Sequence, residues 1–134
     1  MEYDIKKKLI QEAILAYNNA YAPYSKFSVG SAILDENNNV HIGCNVENAA
    51  YPSGSCAEEQ AIGNMVVHGG RIITQIVVVG KSDFLVTPCG ACRQRIREFC
   101  NKDTLIHICH ITEGLQKTFK LEELLTHSFG PENL

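Results

Sequence analysis

The sequence of 134 residues predicts an α/β fold: one three-layer α/β/α domain over residues 1–134, with a mixed central sheet of about five strands. Its N-terminal segment has apolar residues at helical spacing. Two strand-like runs joined by a polar turn follow, and the remainder alternates between strand and helix patterns. Because a hairpin pairs its strands antiparallel and a strand–helix–strand unit pairs them parallel, one sheet should contain both arrangements.

The first predicted elements are a helix and a hairpin. Apolar residues recur at helical spacing from Asp4 to Ala20, which indicates an amphipathic helix that packs on a core. Pro23 then prevents the helix from continuing. Two strands are predicted at Phe27–Leu34 and Val40–Val46, joined by the turn-forming residues 35–39.

The second half of the chain predicts alternating helices and strands. A loop at 48–54 leads into a helix from Cys56 to about Val67, which the glycine pair at 69–70 ends. The remaining predicted elements are, in order, a buried strand at Ile72–Val79, a helix from Thr87–Pro88 to about Cys100, strands at Leu105–Ile111 and Gln116–Phe119, and a short helix at Leu121–Leu125.

Composition limits the possible partners. The formal net charge is −3 and no basic run extends beyond residues 6–8, so we expect a small, near-neutral substrate and no nucleic acid. No apolar stretch reaches the roughly 18 residues that span a bilayer, and the N-terminus lacks the pattern of a signal peptide. We therefore expect no membrane association and a cytoplasmic location, where the six cysteines favour metal binding over disulfides.

Two cysteine elements indicate a catalytic zinc site. Glu58 follows Cys56 by two residues, and Cys89 and Cys92 form a Cys-x-x-Cys pair after a proline. Zinc deaminases use this pattern: three protein ligands leave the fourth position of the metal for water, and the glutamate moves protons. Both elements are predicted at helix N-termini, whose partial positive charge favours thiolates. We predict Cys56, Cys89 and Cys92 as ligands of one Zn²⁺, and Glu58 as the catalytic acid and base in hydrolytic deamination of a cytosine ring.

Each element also has another interpretation. Ser55-x-x-Glu58 matches a helix capping box, in which Glu58 would only bind the Ser55 N–H. The Cys-x-x-Cys pair alone could be a redox pair, although this would leave the first cysteine unexplained. A closed structural zinc site would need a fourth cysteine ligand. The candidates, otherwise expected as buried apolar residues, are Cys44, Cys100 and Cys109.

Over almost its whole length the sequence resembles the cytidine deaminases of the small, homotetrameric, zinc-dependent type. The matching stretches are YAPYSKFSVG at 21–30, GCNVENAAY at 43–51, CAE at 56–58, PCGACRQ at 88–94 and FGPENL at 129–134. The resemblance implies their fold, one Zn²⁺ per subunit, and conversion of cytidine and 2′-deoxycytidine to the uridine nucleosides with release of ammonia, in pyrimidine salvage. It also implies a homotetramer with Tyr51 and a neighbouring chain's Phe129 at each site. The alternative substrate is a modified cytosine nucleoside such as blasticidin S.

The resemblance further implies the substrate-binding residues. Phe27 would pack against the pyrimidine, since an aromatic face suits a flat base, and the backbone at Ala57 would bind the cytosine edge. The run Asn45-Val46-Glu47 would hold the ribose hydroxyl, because an amide and a carboxylate can donate to and accept from it. Without the resemblance, Phe27 would be expected in the core.

The residue after Glu58 departs from the family pattern. Many tetrameric members have an arginine there, which neutralises the three-thiolate zinc, but this chain has Glu59. We expect Arg93, which follows Cys92 directly, or another basic group to supply the missing positive charge.

Overall fold

The computed structural model of the chain describes residues 2–134, with side chains from Asp4 onward. Its helices and strands are α1 (Glu2–Asn18), β1 (Gly30–Asp35), β2 (Val40–Cys44), α2 (Ala57–Val67), β3 (Ile73–Gly80), α3 (Gly90–Phe99), β4 (Leu105–His110), β5 (Gly114–Phe119) and α4 (Leu121–Leu124). Each corresponds to a predicted element. Single-turn 3₁₀ helices at Tyr51–Ser53 and Pro131–Asn133 are additional. Within the described residues, no helix is both long and apolar enough to cross a bilayer.

The strands form one mixed sheet in the order β2-β1-β3-β4-β5. β3 and β4 pair parallel, and the other neighbours pair antiparallel. The parallel pair requires a crossover, which α3 provides between the two strands. The predicted mixed sheet of five strands is therefore confirmed.

Two separate cores lie on the two faces of this sheet. Val77 and Val79 face α1, together with Leu9 of that helix. Ile76 and Val78 face the opposite side, where α2 and α3 cover them. Because successive residues of a strand point to opposite faces, the apolar run of β3 is buried on both sides, as in a central strand of a three-layer fold.

Both hairpin strands are shorter than predicted at the end away from their turn. β1 begins at Gly30 instead of Phe27, and β2 ends just before Asn45 instead of at Val46. The Asn45 side chain explains this difference. Its Oδ1 accepts a hydrogen bond from the Val29 N–H at 2.9 Å, and its Nδ2 donates to the Phe27 carbonyl at 2.9 Å. The side chain thus takes the place of a strand partner, and both segments leave the sheet beside the site described below.

Helices α2 and α3 begin close together on one face of the sheet. Cys56 is the N-cap of α2 and Cys89 is the N-cap of α3, each with extended backbone. The predicted start of α3 at 87–88 is therefore two residues early, because the chain becomes helical only at Gly90. Both cysteine elements lie at helix N-termini, as predicted.

Candidate active site

Three cysteine thiols converge where the N-termini of α2 and α3 meet. The Sγ atoms of Cys56, Cys89 and Cys92 all lie within 4.8 Å of one another, and those of Cys56 and Cys89 are 3.9 Å apart. Three sulfurs bound tetrahedrally to Zn²⁺ at about 2.3 Å would be about 3.8 Å apart. The thiols thus already have nearly the spacing that a zinc ion requires.

The electrostatics of these thiols also favour a bound cation. Burial raises the pKa of Cys92 and of Cys56 above the ordinary thiol value, and neighbouring negative groups add to this effect. Burial acts in the same direction on Cys89, but hydrogen bonds from the Cys92 backbone and the other thiols bring its pKa below the ordinary value. Three thiolates this close repel one another unless a cation lies between them, and thiolates are ligands that Zn²⁺ prefers. The donor set therefore fits zinc.

The other cysteines do not complete a four-sulfur site. In residues 2–134, the group of side chains placed to hold a metal consists of the three converging cysteines. The Cys44 thiol contacts the Asn19 carbonyl at 3.8 Å, and the Cys100 thiol contacts the Arg97 carbonyl at 3.5 Å. Cys109 is buried in the core on the α1 face, as expected of a small apolar residue. The closed structural site considered from the sequence is thus not formed.

Glu58 lies in the first turn of α2 with only 4% of its surface exposed. Burial raises the pKa of its carboxyl group above the ordinary value, so Glu58 holds a proton more readily than an exposed glutamate does. The capping-box interpretation is wrong for this residue. The N-cap is Cys56, and its N–H donates to Oε1 of Glu59 at 3.3 Å, so the helix cap does not use the Glu58 side chain.

A cavity of about 570 Å³ opens beside Glu58, a size typical of small-molecule sites. Its lining includes six of the seven residues predicted to bind substrate, namely Phe27, Asn45, Val46, Glu47, Tyr51 and Ala57. Cys56 and Cys89 also face the cavity. Two predicted site residues are not in its lining: Cys92, which is buried beside the other thiols, and Phe129.

The Glu47 carboxylate connects the cavity wall to the loop before β1. Its Oε1 accepts hydrogen bonds from the backbone N–H groups of Tyr24 and Ser25, each at 3.0 Å, and its Oε2 accepts from the Ser25 hydroxyl. These hydrogen bonds, the hydroxyl first, lower the pKa of Glu47 below its ordinary value and keep it ionised. Tyr24 and Ser25 line the cavity but were not among the predicted site residues; their presence in the stretch 21–30 was the available signal.

Aromatic side chains surround the mouth of the cavity instead of filling the core. Phe27 is 38% exposed and Tyr51 is 77% exposed, and the Tyr51 and Tyr24 rings meet edge to face with centroids 6.3 Å apart. Core packing is therefore excluded for Phe27. The Phe129 side chain is 58% exposed, and its carbonyl accepts a hydrogen bond from the Gln94 side chain at 3.0 Å.

The expected role of Arg93 at the thiols is wrong. Its guanidinium points toward backbone carbonyls, with Nε donating to Pro88 at 2.7 Å and Nη1 donating to Leu124 at 2.6 Å. These contacts anchor α4 to the segment before α3. The basic group beside the thiols is Arg95, whose Nη1 lies 3.7 Å from the Cys92 Sγ. Arg95 was not among the predicted site residues, although its spacing of three residues from Cys92 places both on one side of a helix.

Together, a three-layer fold around one mixed sheet and a three-thiol metal site beside a buried carboxylate define a zinc-dependent enzyme with a small-molecule cavity. The family model described as the cytidine and deoxycytidylate deaminase zinc-binding region matches residues 4–108. The chain belongs to this family.

Known proteins of similar sequence and structure agree with this assignment. The chain is 41% identical to a cytidine deaminase of Sporosarcina psychrophila over 128 residues, covering 96% of this chain and 93% of that protein. It is 39% identical to one of Halalkalibacterium halodurans over 129 residues, covering 96% and 97%. The crystal structure of cytidine deaminase from Burkholderia pseudomallei superposes with a TM-score of 0.86 at 35% identity, covering 92% of this chain and 98% of that one. The predicted family and fold class are confirmed.

Proposed function

We propose that the chain catalyses hydrolytic deamination of cytidine and 2′-deoxycytidine to uridine and 2′-deoxyuridine, with release of ammonia, in pyrimidine salvage. One observation carries the proposal: a buried carboxylate, Glu58, lies beside three converging thiols at a cavity of nucleoside size, in a chain of this family. The reaction is hydrolysis of a carbon–nitrogen bond in a cyclic amidine. A modified nucleoside such as blasticidin S is not favoured, since the similar proteins above are cytidine deaminases.

Cys56, Cys89 and Cys92 would hold one zinc ion per subunit. When bound, the ion supplies Lewis acidity that lowers the pKa of a water molecule toward neutrality. The three thiols come from the beginnings of two helices, whose N–H groups offset the negative charge of the sulfurs. The chain thereby keeps the ligands in place before any substrate enters.

Glu58 would move every proton of the reaction. Its carboxylate takes a proton from the attacking water and delivers it to N3 of the cytosine ring, which makes C4 electrophilic. Water oxygen bonds to C4, and the ring carbon becomes tetrahedral. Glu58 then takes the remaining proton from the new C4 hydroxyl and delivers it to the amino nitrogen; the C4–N bond breaks, C4 becomes a carbonyl, and ammonia leaves a uracil ring. Burial of Glu58 suits this work, because the raised pKa brings its two protonation states closer in energy.

The cavity walls would hold the nucleoside by its two ends. At the base end, Phe27 offers a half-exposed ring, and the backbone N–H at Ala57 lies in the first turn of α2, where helix geometry leaves donors without acceptors. At the sugar end, Glu47 is ionised and fixed by the loop before β1, ready to accept from a ribose hydroxyl. The Asn45 side-chain amide donates one hydrogen to the Phe27 carbonyl and keeps its second hydrogen for the sugar. Val46, between Asn45 and Glu47 in the chain, also lines the cavity.

We further propose a cytoplasmic homotetramer in which Phe129 completes the site of a neighbouring chain. In its own chain Phe129 is exposed and lies outside the cavity, and Tyr51 at the cavity mouth is even more exposed. Large exposed aromatic rings favour burial against another surface. Sedimentation of the purified protein should give about 59 kDa for four chains of 14.8 kDa. A monomer with full activity would contradict this assembly.

The direct test of the reaction measures the loss of cytidine absorbance with purified protein. Glu58→Gln should lower kcat by about 10²- to 10⁴-fold, because the proton carrier is lost while its shape is kept. Zinc content should not change. Glu98→Gln makes the same chemical change at an exposed position on α3 and serves as the control. Comparable turnover in the Glu58 and Glu98 variants would remove Glu58 from this role.

A further inference from the structure

Arg95 and Glu59 form an ion pair that bridges α2 and α3 beside the thiols. Nη1 of Arg95 lies 3.7 Å from the Cys92 Sγ, and its Nη2 lies 3.6 Å from Oε2 of Glu59. The second carboxylate oxygen of Glu59 accepts the Cys56 N–H at 3.3 Å. One guanidinium–carboxylate pair thus connects the two helical turns that carry Cys56 and Cys92.

A zinc-loaded site of this kind needs compensating positive charge. Three thiolates and one Zn²⁺ carry a net charge of −1, and an ionised Glu58 adds a further negative charge nearby. Arginine stays charged at any working pH, and its fork of donors can serve two acceptors at once. The Arg95 and Glu59 side chains are 40% and 39% exposed, so solvent weakens their interaction without removing it.

We propose that Arg95 is a positioning residue of the zinc site, stabilising the Cys92 thiolate while Glu59 holds its guanidinium in place. The inference rests on the zinc site proposed above. It explains how a glutamate is accommodated at position 59, since its charge is paired with Arg95 and one of its oxygens caps α2. The positive charge that the family pattern places after Glu58 is supplied here from α3.

The first experiment measures zinc affinity by competition with a chromogenic chelator. Arg95→Ala should weaken zinc binding by about tenfold, the lower end of the range for residues that support metal ligands, because Arg95 is partly exposed. Arg95→Lys should recover part of the loss. Lys102→Ala removes one positive charge from an exposed position beyond the other end of α3 and should leave the affinity unchanged. Equal affinities in wild type and Arg95→Ala would overturn the inference.

The second experiment reports on the Cys92 thiolate itself. Substitution of Co²⁺ for zinc gives sulfur-to-metal absorption bands, which should shift in Arg95→Ala and move back toward wild type in Arg95→Lys. Arg95 does not line the cavity, so kcat should fall while KM for cytidine stays within about twofold. Unchanged cobalt bands, or a loss confined to KM, would contradict a role through Cys92.

A double-mutant cycle tests the part assigned to Glu59. Glu59→Gln keeps the oxygen that caps α2 but removes the charge that holds Arg95, so zinc affinity should fall in the wild-type background. In the Arg95→Ala background the same substitution should cause no further fall, because no guanidinium remains to be held. Equal losses in both backgrounds would show that Glu59 acts independently. If wild type itself bound no zinc, the proposed function would fail, and this result differs from every outcome above.

Discussion

Replacing Gly43 with alanine should both destabilise the fold and misplace the catalytic helix. Gly43 lies in β2 where the backbone of α2 crosses it. A methyl group there would lie 2.5 Å from the Ala57 carbonyl oxygen and 2.8 Å from the Gln60 Cβ, and it would also overlap the backbone nitrogen of Ala61. These atoms belong to the turns that follow Cys56 and Glu58, so α2 cannot keep its present position.

The size of the effect follows from these distances. Carbon atoms pack at about 3.5–4.0 Å, so α2 must move away from the sheet by about 1 Å. Overpacking of this kind costs about 1–3 kcal/mol of unfolding free energy. A shift of about 1 Å at Glu58 and Cys56 should also lower kcat by about 100-fold, because catalytic groups tolerate little displacement.

Urea unfolding and cytidine turnover would measure the two effects separately. Gly63→Ala is the matched control, since Gly63 lies within α2 and a methyl group there meets nothing within 4 Å. The control should be more stable than wild type by about 0.5–1 kcal/mol, because alanine favours a helix over glycine. Wild-type stability and turnover in Gly43→Ala would refute the packing argument and the rigid placement of α2 that depends on it.

Three further predictions concern the sugar end of the cavity, a buried histidine and the metal. Glu47→Gln should raise KM for cytidine by about tenfold. KM for 2′,3′-dideoxycytidine should stay nearly unchanged, because that nucleoside lacks the 2′ and 3′ hydroxyls; equal changes for both substrates would exclude a contact to these hydroxyls. Burial lowers the pKa of His107 to about 4 from the ordinary 6.5, so between these pH values the unfolded chain binds a proton that the native chain does not. The free energy of unfolding should therefore fall by about 3 kcal/mol from pH 7 to pH 4, and His107→Gln should remove most of this fall in urea titrations; an equal fall in the variant would assign it elsewhere. Removing zinc with a chelator should abolish turnover and lower the thermal unfolding midpoint, both restored by one equivalent of Zn²⁺; an unchanged midpoint would show that the metal does not stabilise the fold.

The metal site was predictable because it depends on short, local patterns. Each cysteine element combines a metal ligand with a helix start, so residue spacing alone placed Cys56 and Cys89 at helix N-termini. The hairpin and the alternation of strands and helices likewise predicted the mixed sheet. The unbroken apolar run of β3 predicted a central strand, because such a run must be buried on both faces.

Contacts between distant segments could not be predicted in the same way. Glu47 binds the backbone of Tyr24 and Ser25, 23 and 22 residues earlier in the chain, and no local pattern fixes that distance. The predicted outer ends of β1 and β2 were wrong for a related reason, because the Asn45 side chain takes the place of a strand partner there.

Which arginine of α3 lies beside the Cys92 thiol depends on the direction in which each side chain leaves the helix. Arg93 is adjacent to Cys92 in sequence but points away from it, whereas Arg95 lies three residues on and shares its face. Helical spacing would have indicated Arg95. Its pairing with Glu59 could not have been found this way, because that contact depends on how α2 and α3 approach each other.

The central claim is a zinc ion held by three cysteine sulfurs, with its remaining position open to the cavity. X-ray absorption spectroscopy at the zinc edge, combined with metal quantification, tests this claim most directly. The structure predicts one zinc per chain with three sulfur neighbours at about 2.3 Å and one lighter oxygen or nitrogen neighbour. Four sulfur neighbours, or protein that folds and turns over cytidine with no metal, would contradict it.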